Sequence, residues 1–213
     1  PVLVLPGSPV EPVVVSGSTP EVVPPVVVDG SPVVVVAVAV ADGSTVVPVG
    51  ALVIVNAAGH VVDPRTGLPW SADQIARFGL KPPPPEQIEA YLTRVIDPKP
   101  LNTTIAVVAT DAVLSPAGCK KVAVAAHNGL AHTIRPAHTA VDGDTVFALA
   151  TGRVHVDPDP TTPEQMSPET RLISEIGAAA ADALATAVMV GVLAAESIAG
   201  IPTYRNLLPG AFA

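Results

Sequence analysis

The stretch PLNTTIAVVATDA, residues 100–112, joins a proline-rich approach to an apolar run that is typical of a buried strand. Threonine is common in strands, and Asn102 is a residue type that often marks where a strand begins. The triplet of Asn102, Thr103 and Thr104 also fits the Asn-x-Thr glycosylation acceptor. A third interpretation is chemical, with Thr103 as a reactive hydroxyl at the mouth of the strand. The rest of the sequence decides among the three.

The composition narrows the classes of protein to which the chain can belong. Its 213 residues suffice for one domain with a buried core, and 49% of them are hydrophobic. The formal net charge of −8 disfavours nucleic acid and anionic membranes as partners, because both would repel the protein. The single cysteine, Cys119, excludes an internal disulfide. No basic segment followed by an apolar core opens the sequence, so we expect a cytoplasmic protein, and the glycosylation interpretation weakens.

Two regions differ in composition. Residues 1–32 form a low-complexity tract in which prolines recur every few residues between valines, and we expect an irregular segment there. Residues 33–213 are predicted to form an α/β domain. It opens with two apolar runs, VVVVAVAVA and VVPVGALVIVN, joined by a hairpin turn at Asp42 and Gly43. Both runs are almost continuously hydrophobic, which predicts a sheet that is covered on both faces.

Two short helices are predicted after this hairpin. The first, in SADQIARFG, has Ser71 as its N-cap and a closing glycine. The second spans EQIEAYLTRVI, residues 86–96, with Ile88, Leu92 and Val95 on its apolar side.

Strands and helices continue to alternate in the second half of the chain. The strand of residues 104–112 is followed by a helix with Ser115 as its N-cap. The segment DGDTVFALATG, residues 142–152, predicts another buried strand. A long helix then covers residues 167–200, with a break near Gly191. This alternation predicts a layered α/β domain with helices on both faces of the sheet.

Residues 177–195 are apolar and about as long as a membrane span. They are mostly alanine, contain Asp182, and are flanked by Glu175 and Glu196. We therefore interpret them as part of a buried amphipathic helix, and we expect no membrane partner.

The sequence shows no clear motif for metal binding and none of the common motifs for a catalytic nucleophile. His127, His132 and His138 are separated by five and six residues, which does not place them on one helix face as an i, i+4 pair would be. We interpret them as surface or hydrogen-bonded histidines and expect neither a metal nor a cofactor. The sequence contains no GxSxG elbow, phosphate-binding glycine loop or paired-cysteine motif.

Polar side chains at the predicted strand ends are better candidates. Asp142 and Asp144 flank Gly143 directly before a strand, where they either form an ordinary acidic turn or act as a carboxylate pair that orients a nucleophile or an amine. Asn56 ends the strand VIVN and either forms a turn or donates to a developing oxyanion. Taken singly, each residue is explained as well by local structure as by chemistry.

Taken together and in this order, four segments resemble one family: VIVNAAGHVVD, the strand opened by Asn102 and Thr103, DGDTVFALATG, and GIPTYRNLLPG. It is the L-aminopeptidase/D-esterase (DmpA-type) family, which includes the nylon-oligomer hydrolases. The resemblance covers residues 37–213, is most specific over residues 102–152, and corresponds to the C-terminal part of a family precursor. It implies a four-layer αββα sandwich and an assembly of four or more copies.

The resemblance also implies a self-cleaving hydrolase with an N-terminal nucleophile. Cleavage between Asn102 and Thr103 would leave Thr103 with both a hydroxyl nucleophile and a free α-amine, whose unperturbed pKa of about 8 suits a base. By similarity to the nylon-hydrolase members, Asn56 would stabilise the oxyanion or position the substrate, while Asp142 and Asp144 would orient Thr103. The substrates would be small peptides, amides or amide oligomers.

The chain departs from the family in one residue of the site. In family members a longer, glycine-rich N-terminal region contributes a lysine to the site. The lysines of this chain are Lys81, Lys99, Lys120 and Lys121, and none of them lies at the corresponding position. The alternative is therefore a catalytically inactive or truncated family member with a structural or oligomerising role.

Overall fold

The computed structural model describes residues 26–28, 31–33, 36–41, 45–94, 102–198 and 200–212. Most of the predicted proline-rich tract and the predicted turn at Asp42 and Gly43 lie outside these residues. In chain order the strands are β1 (Val26–Val28), β2 (Ser31–Val33), β3 (Val36–Ala41), β4 (Val46–Ile54), β5 (Val62–Asp63), β6 (Leu68–Pro69), β7 (Ile105–Ala112) and β8 (Thr145–Val154). The helices are α1 (Ala72–Arg77), α2 (Pro85–Thr93), α3 (Pro116–Thr133), α4 (Thr170–Ala194) and α5 (Tyr204–Leu207), followed by a 3-10 helix (Pro209–Phe212).

Four strands form the central sheet in the order β3-β4-β7-β8. The pairs β3–β4 and β4–β7 are antiparallel, whereas β7 and β8 are parallel and are connected through α3. At one end of the sheet Ile54, Ile105 and Thr145 lie side by side on three adjacent strands. Because β4 runs opposite to β7 and β8, the end of β4 meets the beginnings of the other two.

The helices α3 and α4 cover one face of this sheet. Val47 and Val49 of β4 and Val108 of β7 are each 1% exposed and pack against them in the main core. On the opposite face Leu52 and Phe147 are 40% and 54% exposed. The prediction of a sheet covered on both faces is therefore wrong for the described residues. Valine and alanine occupy both faces of these strands, so hydrophobicity alone does not distinguish the buried face from the exposed one.

The predicted α/β class is confirmed. Within the described residues a helical layer packs on a sheet layer, which is half of an αββα sandwich.

The helix α3 begins as predicted. The hydroxyl of Ser115 accepts a hydrogen bond from the N–H of Gly118 at 3.1 Å, which is the geometry of an N-cap. The carboxylate of Glu169 in turn accepts from the Ser115 hydroxyl at 2.7 Å and from its N–H at 3.1 Å. The sequence predicts that the next helix starts at residue 167, whereas α4 starts at Thr170. Glu169 therefore precedes α4, and its carboxylate links the start of α4 to the start of α3.

The helix α4 runs through Gly191 without a break and ends at Ala194, so the predicted break is wrong. By length and composition α4 could cross a membrane, with a mean hydropathy of 1.9 over its most apolar window. However, 72% of that window is buried, mainly against α3 and the sheet. The interpretation of this segment as a core helix is confirmed.

The short helices are only partly as predicted. The helix α1 follows Ser71, as expected, and Gly79 closes it in the left-handed region, with φ of 63°. The helix α2 ends at Thr93, and Ile88 and Leu92 do not form the predicted buried face, because Leu92 is 55% exposed and Ile88 is only partly buried. Val95, the third residue of that face, lies outside the described residues. Tyr91 contacts a second small core formed by Val62, Leu80, Tyr204, Leu208 and Ala211 instead.

Candidate active site

The predicted site residues meet at one edge of the central sheet. Asn56 lies two residues after β4, Thr103 two residues before β7, and Asp144 directly before β8. The opposite directions of β4 and β7 bring these three positions together, since the end of one strand lies beside the start of the next. The structure thus joins side chains that are almost 90 residues apart in the sequence.

The peptide group between Asn102 and Thr103 is held from both sides. The N–H of Thr103 donates to the backbone carbonyl of Asn56 at 2.7 Å, and the carbonyl of Asn102 accepts from the N–H of Gly143 at 2.9 Å. The hydroxyl of Thr103 also donates to the carbonyl oxygen of Asn102, at 2.7 Å. The hydroxyl therefore contacts the peptide group whose cleavage the sequence predicts.

Gly143 approaches the Thr103 side chain more closely than any larger residue would allow. A Cβ atom at this position would lie 2.9 Å from the Thr103 hydroxyl oxygen. Sequence reasoning treated Gly143 only as a spacer between two aspartates. A glycine between two polar residues at a strand mouth is a signal for such an approach.

The carboxylate of Asp144 is almost completely buried, with its side chain 5% exposed. One oxygen accepts the N–H of Thr104 at 3.0 Å, and the other lies 2.7 Å from Nδ1 of His138. Asp144 therefore fixes Thr104, the residue that directly follows Thr103. This contact fits the predicted role of Asp144 in orienting Thr103, and it acts through the backbone rather than through the Thr103 hydroxyl.

Asp142 joins two loops at the same edge. One of its oxygens accepts the N–H of Ala58 at 3.0 Å, and the other accepts the N–H and the hydroxyl of Thr139 at 2.8 and 2.7 Å. The hydroxyl of Thr139 is the largest of the effects that hold the pKa of the Asp142 carboxyl below its usual value, against the opposing effect of burial. Asp142 is consequently ionised at neutral pH and ties the loop after β4 to the loop before β8.

Asn56 contacts Thr103 through its backbone carbonyl. Its carbonyl anchors the Thr103 N–H, and the residue itself is exposed at the surface beside Thr103. Sequence reasoning assigned Asn56 a role through its side-chain amide and did not foresee the backbone contact. That side-chain role stays a prediction.

His138 was not predicted as a site residue. It belongs to the set that the sequence analysis interpreted as surface or hydrogen-bonded histidines, and its contact with Asp144 fits that description. Its ring also meets the ring of His127 edge to face, with centroids 4.9 Å apart. Across the described residues, no group of three or more His, Cys, Asp and Glu side chains is arranged to hold a metal ion.

An open cavity of about 320 Å³ lies at the other end of β8. It is lined by polar and charged side chains that include His155, Asp159, Glu169 and Arg171. Since the site residues gather where β8 begins, this cavity is separate from them.

A known protein family matches most of the chain. A family model described as Peptidase family S58 matches residues 29–205. The chain belongs to this family. The resemblance to the L-aminopeptidase/D-esterase family and its nylon-hydrolase members is thereby confirmed.

Several known proteins are similar to this chain over about half of its length or more. An uncharacterized aminopeptidase of Mycobacterium tuberculosis is 60% identical over 169 residues, which cover 77% of this chain and 49% of the relative. An uncharacterized aminopeptidase of Mycobacterium leprae is 63% identical over 164 residues, or 77% of this chain and 45% of the relative. A 6-aminohexanoate-oligomer endohydrolase of Paenarthrobacter ureafaciens is 32% identical over 115 residues, or 53% and 31% of the two chains. The chain spans about half the length of the mycobacterial relatives.

Solved structures give a more distant likeness. A β-aminopeptidase of Burkholderia sp. has a TM-score of 0.47 and 24% identity, and the match covers 84% of this chain and 48% of that one. The L-aminopeptidase D-Ala-esterase/amidase of Ochrobactrum anthropi has a TM-score of 0.43 and 19% identity, covering 79% and 41%. The assignment to family S58 rests on the match of residues 29–205 to the family model.

Proposed function

We propose that the chain is a self-processing hydrolase of small peptide or amide bonds, with an N-terminal threonine nucleophile that cleavage between Asn102 and Thr103 creates. One observation carries the proposal. The Thr103 hydroxyl lies 2.7 Å from the carbonyl oxygen of Asn102, so it is next to the bond that would be cut. Membership in a peptidase family supports hydrolysis as the chemistry.

Self-cleavage follows from this contact by an acyl shift. The Thr103 hydroxyl oxygen attacks the carbonyl carbon of Asn102, the C–N bond between the residues breaks, and the hydroxyl proton passes to the leaving nitrogen. The resulting ester is hydrolysed by one water molecule, which leaves a carboxylate on Asn102 and restores the hydroxyl of Thr103. The N–H of Gly143, already 2.9 Å from the Asn102 carbonyl oxygen, is placed to stabilise the negative charge that develops there.

Turnover of an added substrate would use the new chain end. The free α-amine of Thr103, with an unperturbed pKa of about 8, accepts the hydroxyl proton while the oxygen attacks the substrate carbonyl. The α-ammonium then gives this proton to the leaving amine, which departs as an acyl ester forms on Thr103. Water hydrolyses the ester, which releases the acid and restores the hydroxyl. Asn56 would position the substrate or its oxyanion, and Asp142 and Asp144 would hold the two loops and the strand that carry the nucleophile.

The substrate class follows from the family. The relatives are named as aminopeptidases and as endohydrolases of 6-aminohexanoate oligomers, so we propose small peptides, amino-acid amides or amide oligomers as substrates. We also propose an assembly of four or more copies in the cytoplasm.

Turnover can be tested with amino-acid p-nitroanilides and 6-aminohexanoate oligomers. The wild-type chain is expected to hydrolyse one of the two classes, with a rate that rises through about pH 8 as the α-amine loses its proton. Thr103→Ala removes the nucleophile and should abolish hydrolysis, while Thr103→Ser retains a hydroxyl and should keep part of it. Thr93→Ala, at the exposed end of α2, serves as the matched control.

Two results would contradict the proposal. Hydrolysis that persists at the wild-type rate in Thr103→Ala would exclude Thr103 as the nucleophile. No hydrolysis of either class by a cleaved wild-type chain would exclude these substrates.

A structural role is the second candidate, and the exposed face of the central sheet favours it. Leu52, Ile54, Phe147 and Leu149 are between 40% and 71% exposed on the side away from the helices. Such a surface suits a family member that only packs and assembles. This candidate predicts no acyl label on Thr103 after treatment with an activated ester, and labelling that disappears in Thr103→Ala would exclude it.

A further inference from the structure

His138 occupies an unusual backbone conformation beside the proposed nucleophile. Its φ of 54° lies in the left-handed region, which residues other than glycine rarely adopt. Such a conformation costs energy and persists where the surrounding structure holds it. In this conformation the Nδ1 atom of the His138 side chain lies 2.7 Å from a carboxylate oxygen of Asp144.

Asp144 connects this histidine to the strand that carries the proposed nucleophile. The oxygen that does not face His138 accepts the N–H of Thr104 at 3.0 Å, and the Asp144 side chain is 5% exposed. A buried carboxylate keeps its orientation when each oxygen has a partner, and charge-assisted hydrogen bonds of this length are among the stronger ones. A continuous path therefore runs from the His138 ring through Asp144 to the amide that follows Thr103.

The His138 ring contacts Asp144 on one side and His127 on another. The charged and titratable groups that interact with it are Asp144, Asp142 and His127. Burial lowers the pKa of His127, and the charge of His138 lowers it further, while Asp144 opposes both. The His127 ring lies edge to face against the His138 ring, with centroids 4.9 Å apart.

We propose that His138 is a positioning residue, which fixes the carboxylate of Asp144 and through it the amide of Thr104 and the nucleophile Thr103. The inference rests on the proposed function and adds to it a residue that acts through another side chain rather than on the cleaved bond itself. Its effect on the reaction is transmitted through the carboxylate of Asp144.

Two substitutions separate the hydrogen bond from the backbone conformation. His138→Asn places an amide nitrogen the same number of bonds from Cα as Nδ1, and asparagine tolerates positive φ. His138→Gly also tolerates positive φ but removes the donor. The control is another histidine–aspartate pair, His155 and Asp157, whose side chains are 73% and 97% exposed and 3.6 Å apart. His155→Asn and His155→Gly make the same chemical changes far from the site.

The first measurement is hydrogen exchange at the Thr104 amide, read by NMR in an uncut Thr103→Ala background. His138→Gly should speed exchange at this amide about tenfold, which is the equivalent of losing one hydrogen bond to a charged group, here the bond from His138 to Asp144. His138→Asn should leave the exchange rate near that of the reference chain. The second measurement is the rate of cleavage between residues 102 and 103 in freshly refolded full chain. It should fall about tenfold in His138→Gly, and it should be largely restored in His138→Asn. Both His155 variants should match their reference chains in both measurements.

The two measurements keep the outcomes distinct. The role of His138 is overturned if Thr104 exchange is unchanged in His138→Gly, or if His138→Asn is as defective as His138→Gly. A wild-type chain that stays uncut refutes the proposed function, and exchange at Thr104 then decides by itself whether His138 positions this strand.

Discussion

Gly143 is the single residue on which the environment of Thr103 most directly depends. Its N–H contacts the carbonyl of Asn102, and its missing side chain leaves room for the Thr103 hydroxyl. Both features belong to the backbone, so sequence reasoning that looked for side-chain chemistry did not find them.

Gly143→Ala is expected to slow self-cleavage at least about tenfold while changing stability little. The added Cβ would lie 2.9 Å from the Thr103 hydroxyl oxygen and displace it, whereas Gly143 is exposed and has no left-handed backbone to strain. Mass spectrometry of refolding chains gives the cleavage rate, and thermal unfolding gives the stability. Gly191→Ala is the control for the cleavage rate, because nothing lies within 4 Å of a Cβ at that position. Cleavage at the wild-type rate in Gly143→Ala would show that this close approach has no part in the reaction.

At the level of single residues, the sequence singled out polar residues that the structure brings together, and their catalytic roles stay a prediction. Asn56, Asn102, Thr103, Asp142 and Asp144 all lie at one sheet edge, as their positions beside strands indicated. The proposed role of His138 depends on a left-handed backbone and a contact six residues along the chain, and neither leaves a periodic trace in the sequence.

At the level of elements, close approach of α3 and α4 organises the main core. A Cβ on Gly129 of α3 would lie 2.3 Å from the carbonyl oxygen of Ala181 in α4, and one on Gly177 of α4 would lie 2.9 Å from the Cβ of Ala125. Ala180 and Ala183 of α4 are completely buried in the same core. Small residues on both helices therefore allow the backbones to come together.

Two glycine-to-alanine variants test this packing. Gly129→Ala should destabilise the fold by about 1–3 kcal/mol, because the added methyl group meets the backbone of α4, which cannot move aside cheaply. Gly191→Ala should stabilise it by about 0.5–1 kcal/mol, because the helix gains a better helix former in open space. Urea unfolding followed by circular dichroism measures both. Equal stability of Gly129→Ala and the wild-type chain would contradict the observed packing of the two helices.

The sequence predicted the four strands of the central sheet and the main helices, together with the N-cap at Ser115. It did not predict the short strand pairs β1–β2 and β5–β6. It did not predict which sheet face is covered, since apolar side chains occur on both. It also extended α4 beyond its end and placed a break at Gly191, where the helix continues. A single glycine in a helix packed along most of its length costs too little to interrupt it.

At the level of the whole molecule, the described residues form one helical layer on a four-stranded sheet, together with two separate two-stranded sheets. The chain spans about half the length of its mycobacterial relatives, and the apolar face of the sheet carries large exposed side chains. The proposed reaction nevertheless draws on groups that the described residues already bring together: the Thr103 hydroxyl, the Asn102 carbonyl and the Gly143 N–H.

The intact mass of the purified chain tests the central claim most directly. We expect two fragments that correspond to residues 1–102 and 103–213, with threonine at the start of the second, and a single uncut chain for Thr103→Ala. Thr103→Ser should still be cut, since it keeps a hydroxyl at the same position. A folded wild-type chain that keeps its full mass during prolonged incubation, or a Thr103→Ala chain that is cut at the same bond, would contradict the account.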